Sequence, residues 1–369
     1  DDMGIIKYAS NNVPRFDHDF GTGESLGLLI EESRTNLLSY STSFNLWSSV
    51  SLMSISVNNQ TAPDGTQTAA KFIFPTNPAT TPFCTQLYTF SAAAHTFSVF
   101  AKYNGIQYLW LNIWDGAVSR RAIFDIQNGT LGSTQNSPSG QTITAYGNGW
   151  YRCTISATTS AGSGDVSIRF ANSSSDFASD TITGNGSDGQ YIWGAQLEQG
   201  AFATSYIPTS GSTVTRAADF AAIRRTNFTD FYNSEEGTIY CEFTHGVRPW
   251  HFCDADTSQS SRFFGFSDNS GGIRVGRNAS GWTYLSAPTT GSYSRGDDIK
   301  SAVSYGPTSF SVGAFGQVAD SGTTNANTGI DRLLFYQDTS NPDSNGTIRA
   351  LKYYNKRLPN AQLQGLTQQ

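Results

Sequence analysis

The chain has 369 residues, of which only 14% are charged and 13% aromatic, with a net charge of −6 at pH 7. An acidic, sparsely charged surface does not attract phosphate backbones, which argues against nucleic-acid binding. No apolar run reaches the ~20 residues of a membrane span, so membrane insertion is not expected.

The length suffices for two or three domains, each with its own core. Abundant Gly, Ser, Thr and Asn beside the aromatics give the profile of short strands joined by polar turns, hence an all-β fold. The sequence begins at Asp1 without a Met, and no secretory leader is read there; an upstream piece, missing or processed, is expected. The cysteines, Cys84, Cys153, Cys241 and Cys253, are too few and too scattered for a disulfide scaffold. They are read as buried thiols.

Residues 1–40 form an extended arm or lead-in. VPRFDHDF and the turn-like GTGES precede a short apolar run, Leu26 to Ile30. Too small for its own core, the arm is expected to pack on a neighbouring body, in this chain or another subunit.

Residues 41–219 read as one β-domain. Strand candidates are Ser51 to Val57, Ala69 to Phe74, Thr96 to Tyr103, Tyr108 to Trp114, Ala122 to Ile126, Gln141 to Ala145, Trp150 to Ala157, Val166 to Ala171 and Gln190 to Leu197. Turn signals between them are Pro63-Asp64-Gly65, Asn104-Gly105, Asp115-Gly116, Asn128-Gly129 and Asn148-Gly149, since Asn-Gly and Asp-Gly tolerate positive φ. Such a series fits a two-sheet sandwich of jelly-roll type. The stretch 191–219 closes it. Ala195 and Leu197 alternate with Gln196 and Glu198, a strand with one face on a core. From Gly200 the residues turn small, hydroxylated and Pro-interrupted, and read as the exit from the domain.

Residues 220–236 are a connector, and 237–369 a second sandwich. GTIYCEFTH alternates Ile239, Cys241 and Phe243 with polar neighbours. The end, TIRALKYYNKRLPNAQLQGLTQ, reads as a strand, a turn at Arg357-Leu358-Pro359, and a terminal helical turn capped by Asn360.

The motifs RTNLL, GWYR, WGAQLE and TSYIPT, in that order with TFSVFAKYNG and FDIQNGT between, resemble a jelly-roll module of tailed-bacteriophage virion proteins, similar in fold to carbohydrate-binding modules. The resemblance covers about the first 220 residues. The second half resembles concanavalin-A-like and laminin-G-like sandwiches, mainly through its ending. These resemblances imply a virion location, other virion proteins as partners, and a homo-oligomer, a trimer being favoured. No heptad seam is present to explain one.

Several constellations bear on chemistry. Cys241, His245, His251 and Cys253, with Asp254 and Asp256, are zinc-ligand types. On a strand, however, Cys241 and His245 stand four residues apart at ~3.3 Å each, too far for one tetrahedral ion. A hairpin that brings His245 near His251 would leave a partial site, so no metal site is assigned. Asp115, Asp125, Glu198, Asp254 and Asp256 are available as glycosidase acids, but none sits in an acid-pair motif, and several lie on turns. No Ser-His-Asp order with a nucleophile elbow and no phosphate-cradling loop is read. The chain is therefore not read as an enzyme and no cofactor is expected. A structural calcium ion is the one inorganic ligand the acids invite, at Asp254 and Asp256 or at Asp176 and Asp180, and plain solvated turns are the simpler reading.

Aromatic side chains give the best binding clue, because flat rings stack on the apolar faces of sugars. Tyr103, Tyr108, Trp110 and Trp114 crowd into a candidate hairpin across Asn104-Gly105. Tyr108, Trp110, Asn112 and Trp114 share one face; Leu109, Leu111 and Ile113 share the other, the natural core face. The Trp/Tyr face is then either open to a ligand or covered by the arm. Trp250, Trp282 and Tyr284 are second candidates, whereas Trp47, Trp150 and Trp193 are read as core. The expected function is that of a virion structural protein, in a tail fibre or surface decoration, that contributes to attachment to host surface glycan. The alternatives are a purely structural assembly protein and, third, a polysaccharide-degrading enzyme.

Overall fold

The computed structural model describes residues 1–10, 12–77, 79–80, 82–175, 177, 181–244, 250–254, 262–267, 273–278, 282–286, 296–307, 309–321, 330–336 and 345–368. The chain is all-β, with antiparallel sheets throughout, and it divides into two units. The first unit takes residues 1–8, 19–24 and 34–216; the second takes 9–18, 25–33 and 217–369. Among the described residues no helix is long and apolar enough to cross a membrane.

Among its described residues the first unit holds two six-stranded sheets. One runs, in spatial order, Thr130–Gln135, Ser119–Asp125, Tyr108–Trp114, Gly162–Ala171, Phe83–Phe90, Ser49–Ser51. The other runs Gly140–Ala145, Trp150–Thr158, Ala94–Asn104, Gly189–Gln199, Ala69–Ile73, Ser54–Gln60. Alternate side chains from both meet in the core. Leu109, Leu111 and Ile113 come from one sheet; Phe97, Val99, Ile192 and Leu197 come from the other. The expected period of two thus holds on both sides of the sandwich.

The Asn104-Gly105 hairpin is not present. Ala94–Asn104 and Tyr108–Trp114 lie in different sheets, and 105–107 is the corner that joins them. Gly105 has φ 101°, and its backbone bridges to Gly189 while the Ile106 amide donates to the Gly189 carbonyl at 3.2 Å. A corner needs the same positive φ as a tight turn, so Asn-Gly chemistry does not separate the two.

The strand Gly189–Gln199 is buried on both faces, not on one. Gly194, at φ 63°, sits in a register shift between Trp193 and Gln196. The bulge flips the phase of the pleat. Ile192, Ala195 and Leu197 therefore all point into the inter-sheet core, while Trp193 points to the opposite side. There it joins Phe100, Trp150 and Tyr206 in a second cluster. Trp47 belongs to the inter-sheet core; Trp150 and Trp193 are buried, but on the outer side of their sheet.

The exit segment makes that outer side a buried one. Tyr206 lies 4.3 Å from the Trp193 ring, centroid to centroid. Arg152 donates to the Thr204 carbonyl at 2.7 Å and to Ser98 Oγ at 3.0 Å. Glu198 accepts from the Thr204 amide at 3.1 Å, and Gln196 Oε1 from the Ile207 amide at 2.6 Å. Asn36 Nδ2 donates to the Ala195 and Ile207 carbonyls at 3.1 and 2.9 Å; its Oδ1 accepts from the Leu38 and Leu197 amides, both at 3.2 Å. RTNLL, GWYR, WGAQLE and TSYIPT are thus four parts of one clasp. Most buried polar groups need a partner, and apart from Arg152 Nε and Thr209 Oγ1 these clasp groups largely partner one another and the backbone.

Among its described residues the second unit holds a seven-stranded sheet: Phe16–His18, Ser25–Glu31, Asn345–Tyr354, Gly237–Thr244, Asp298–Tyr305, Phe310–Ala314, Gln317–Ser321. Its six-stranded sheet runs Phe220–Arg224, Ile330–Tyr336, Trp250–Asp254, Arg262–Ser267, Ile273–Asn278, Trp282–Ser286. Ile239, Cys241, Phe243, Val303, Val312, Leu333 and Phe335 fill the core between them. Two sequence boundaries change. The lead-in 1–40 is not one arm: Phe16–His18 and Ser25–Glu31 are strands of the second unit, the latter paired with Asn345–Tyr354. The connector 220–236 carries the edge strand Phe220–Arg224, paired with Ile330–Tyr336. The terminal helix, Asn360–Leu366, has Pro359 at its N-cap; Asn360 instead donates to Asp320 at 2.8 Å. Leu363 of that helix packs on Tyr240 and Ala302 and closes the outer side of the seven-stranded sheet there.

Candidate functional site

The outer face of the sheet containing Tyr108–Trp114 is built from rows of residues in cross-strand register, neighbouring strands lying ~4.8 Å apart. One row is Trp114, Asp165 and Leu87. The next is Arg121, Asn112, Ser167 and Thr85; the third is Ile123, Trp110, Arg169 and Phe83. The middle row has short side chains at its centre, and Asn112, Ser167 and Thr85 are buried. They form a polar floor between two rows of large side chains.

Trp110 is not an open stacking platform. It is only 3% exposed. Arg121 and Arg169 lie over its ring, each 5.1 Å from the centroid, and Phe177 meets it edge-on at 5.5 Å. Its cover thus includes side chains from the two flanking strands and Phe177. Tyr108 is half-buried beside it. Trp114 remains 37% exposed, with Leu87 at 64% two strands away. Tyr103 is 38% exposed, but it belongs to the other sheet and does not join this face.

Polar groups beneath this face are incompletely satisfied. Asn112 Oδ1, Asp165 Oδ1 and Arg121 Nε are buried atoms without a hydrogen-bond partner. Burial raises the Asp165 carboxyl above the usual range, against the opposing pull of Arg169 and of hydrogen bonds from Ser167 and Asn112. Arg169 Nε donates to Ser167 Oγ at 3.2 Å, so Asp165 and Arg169 flank Ser167 on one strand. Unpartnered buried polar atoms are uncommon in folded proteins, and where they cluster they invite a ligand. Sequence reasoning misses Arg121, Asp165, Arg169 and Leu87. Phe83–Phe90 mixes polar and apolar residues on both of its alternating sets, so no period of two marks it in the sequence.

The candidate acids have structural work. Asp115 accepts from the Ala117, Val118 and Ser160 amides and from Arg120, at 2.8 to 3.1 Å. Burial opposes its ionisation, but these bonds together hold its carboxyl well below the usual range. Asp125 likewise accepts from Gln127, Asn128 and Gln107, which outweigh burial and lower its pKa. Asp115 and Asp125 mark opposite ends of the Tyr108–Trp114 and Ser119–Asp125 pair. About seven residues of strand separate them by ~23 Å, beyond the ~5–9.5 Å that glycosidase chemistry uses. Glu198 belongs to the clasp.

The zinc hairpin is also absent. Gly237–Thr244 and Trp250–Asp254 lie in different sheets, and Cys241 points into the core, where burial pushes its thiol pKa up. Among the described residues no group of three or more His, Cys, Asp or Glu is placed to hold a metal. His245, Asp256, Asp176 and Asp180 lie outside the described residues. So do the side chains of His251, Cys253, Asp254, Trp250, Trp282 and Tyr284. By backbone register Trp250 pairs with Gly265, Tyr284 with Gly276 and Trp282 with Asn278, in three different rows of their sheet.

No family model matches the sequence, and no curated protein does. Among solved structures, domains LG4–5 of the mouse laminin alpha1 chain align at 10% identity over 77% of this chain and 90% of theirs, with a TM-score of 0.30. A tetrameric galectin from the ball sponge Cinachyrella aligns at 14% over 37% of this chain and 99% of its own, with a TM-score of 0.26. A tail fibre protein of an E. coli phage aligns at 8% over 90% of this chain and 41% of its own, with a TM-score of 0.22. At such scores these likenesses add nothing to the two sandwiches, which stand on the strand register and cores of this chain.

Proposed function

We propose that this chain is a virion surface protein, part of a tail fibre or a decoration, whose first sandwich holds host-surface glycan on the outer face of the Tyr108–Trp114 sheet. One observation carries the binding reading: a part-exposed Trp114 stands in register with Asp165, whose Oδ1 has no partner. A part-exposed ring beside a carboxylate oxygen without a partner matches what a pyranose presents, an apolar face rimmed by hydroxyls. The virion setting is supported by the motif set RTNLL, GWYR, WGAQLE and TSYIPT. A homo-oligomer would multiply weak sites into firm attachment.

The second reading is a subunit contact, favoured by the exposed Leu87 in the same cross-strand row as Trp114. A glycan array with the full chain and a Trp114→Ala variant, with oligomeric mass measured on both, separates the two. The expected result is selective binding that the variant loses at unchanged mass. A change of mass in the variant, with no glycan bound by either protein, would make this face an assembly contact instead.

A further inference from the structure

We infer that the sugar bound on this face carries a carboxylate, received between Arg121 and Arg169. The inference rests on the glycan-binding reading above. Both guanidinium groups lie 5.1 Å from the centroid of one ring, Trp110, and Arg169 also lies 5.0 Å from that of Phe83. Two like charges, one from each strand flanking Trp110, thus pack on one apolar ring, where each loses hydration. Their balance is incomplete. Asp165 offsets part of the Arg169 charge from the same strand. Asp125, further along the Arg121 strand, has both oxygens committed to Gln107, Gln127 and Asn128, and Asp115 is taken by Arg120. Arg121 donates to a neutral partner, Gln135 Oε1, at 2.8 Å, and its Nε has no acceptor. Burial lowers the pKa of both arginines; at Arg169 the Asp165 charge opposes that shift and the Arg121 charge adds to it. An added anion relieves this imbalance, whereas a neutral sugar does not. A planar carboxylate also matches the fork of a guanidinium, and Trp114 stands on the same face to take the ring.

The test uses the full chain with two probes, oligogalacturonate and oligomers of N-acetylneuraminic acid, each beside its carboxyl-reduced form. Binding is followed by calorimetry at low and high salt. The expected result is at least one acidic probe bound roughly tenfold or more tighter than its reduced form, with salt narrowing the gap. Arg121→Gln brings that ratio close to one. Arg121→Lys keeps the charge without the fork and holds an intermediate ratio, which shows that misfolding is not the cause. Equal binding of acidic and reduced forms overturns this inference and leaves the glycan reading standing. Failure of both acidic probes, with neutral glycans bound on the array, does the same. Failure of every glycan overturns both.

Discussion

Asn36→Ala tests whether the clasp holds the first sandwich together. The Asn36 side chain is fully buried and makes four hydrogen bonds, two as donor and two as acceptor, all to backbone groups. Truncation leaves the Ala195 and Ile207 carbonyls and the Leu38 and Leu197 amides short of a partner. Each orphaned group costs about 1–3 kcal/mol, reduced where backbone shifts or an entering water re-pair it. A net loss of about 3–6 kcal/mol follows, a large share of the ~5–15 kcal/mol that stabilises a domain. With a urea slope of ~3 kcal/mol per M, the midpoint falls by roughly 1–2 M. Tryptophan fluorescence is the right probe, because Trp47, Trp110, Trp114, Trp150 and Trp193 all stand in the first unit. Asn59→Ala is the control, since Asn59 is exposed and donates only to Ser56 Oγ; its effect stays within about 0.5 kcal/mol. Equal midpoints for the two variants would refute the clasp as the source of stability.

Asp115→Asn probes the electrostatics of the turn that follows Tyr108–Trp114. The folded pKa of Asp115 is depressed, so its contribution is present above the unfolded carboxylate pKa of ~3.9 and is lost as pH falls through the lower folded value. In urea titrations the lead of the wild type over Asp115→Asn is therefore full at pH 7 and shrinks as the pH drops below ~4; a lead that grows on acidification contradicts the assignment. Gly194→Ala places a Cβ 2.8 Å from the Phe100 ring at φ 63°, and thermal melts are expected to show a loss of at least about 1 kcal/mol. The thiols of Cys84, Cys153 and Cys241 are all buried, and burial raises each pKa. They should therefore resist Ellman's reagent in the native chain and react as urea unfolds it.

Alternation is legible wherever one residue in two has to be apolar. Tyr108–Trp114 appears with the bounds read from the sequence, and Leu109, Leu111 and Ile113 do face the core. What the sequence hides is whatever depends on distant partners. Ser25–Glu31 finds its ladder on Asn345–Tyr354, at the far end of the chain, and nothing local to LGLLIE announces that pairing. The strand after Gly194 illustrates a different limit. A period of two is visible on both sides of the glycine, but the one-residue slip between them sets which side of the sheet Trp193 meets. At the candidate site, Tyr108, Trp110 and Trp114 share one face, as the alternation requires. Whether that face is open depends on Arg121 and Arg169, which reach Trp110 only through register with two other strands.

The same register explains why the recognisable motifs and the proposed site do not coincide. The clasp motifs close the outer side of the Gly189–Gln199 sheet over Trp193 and Phe100, using the chain's own exit segment. A ligand there would have to displace Tyr206 and Thr204 and break their hydrogen bonds. In the second unit the terminal helix covers Tyr240 and Ala302 in a comparable way. Among the described residues the Tyr108–Trp114 sheet has no such segment over its Trp114 row, and its cover at Trp110 includes two arginines that are not fully matched by acids. Ordering a side chain on a new partner costs about 0.5–1.5 kcal/mol, less than leaving unmade the several buried hydrogen bonds that seat the clasp, at about 1–3 kcal/mol each. A variant that loosens the clasp should therefore lower stability without changing which sugar is preferred, whereas a variant at Arg121 should change the preference at nearly constant stability.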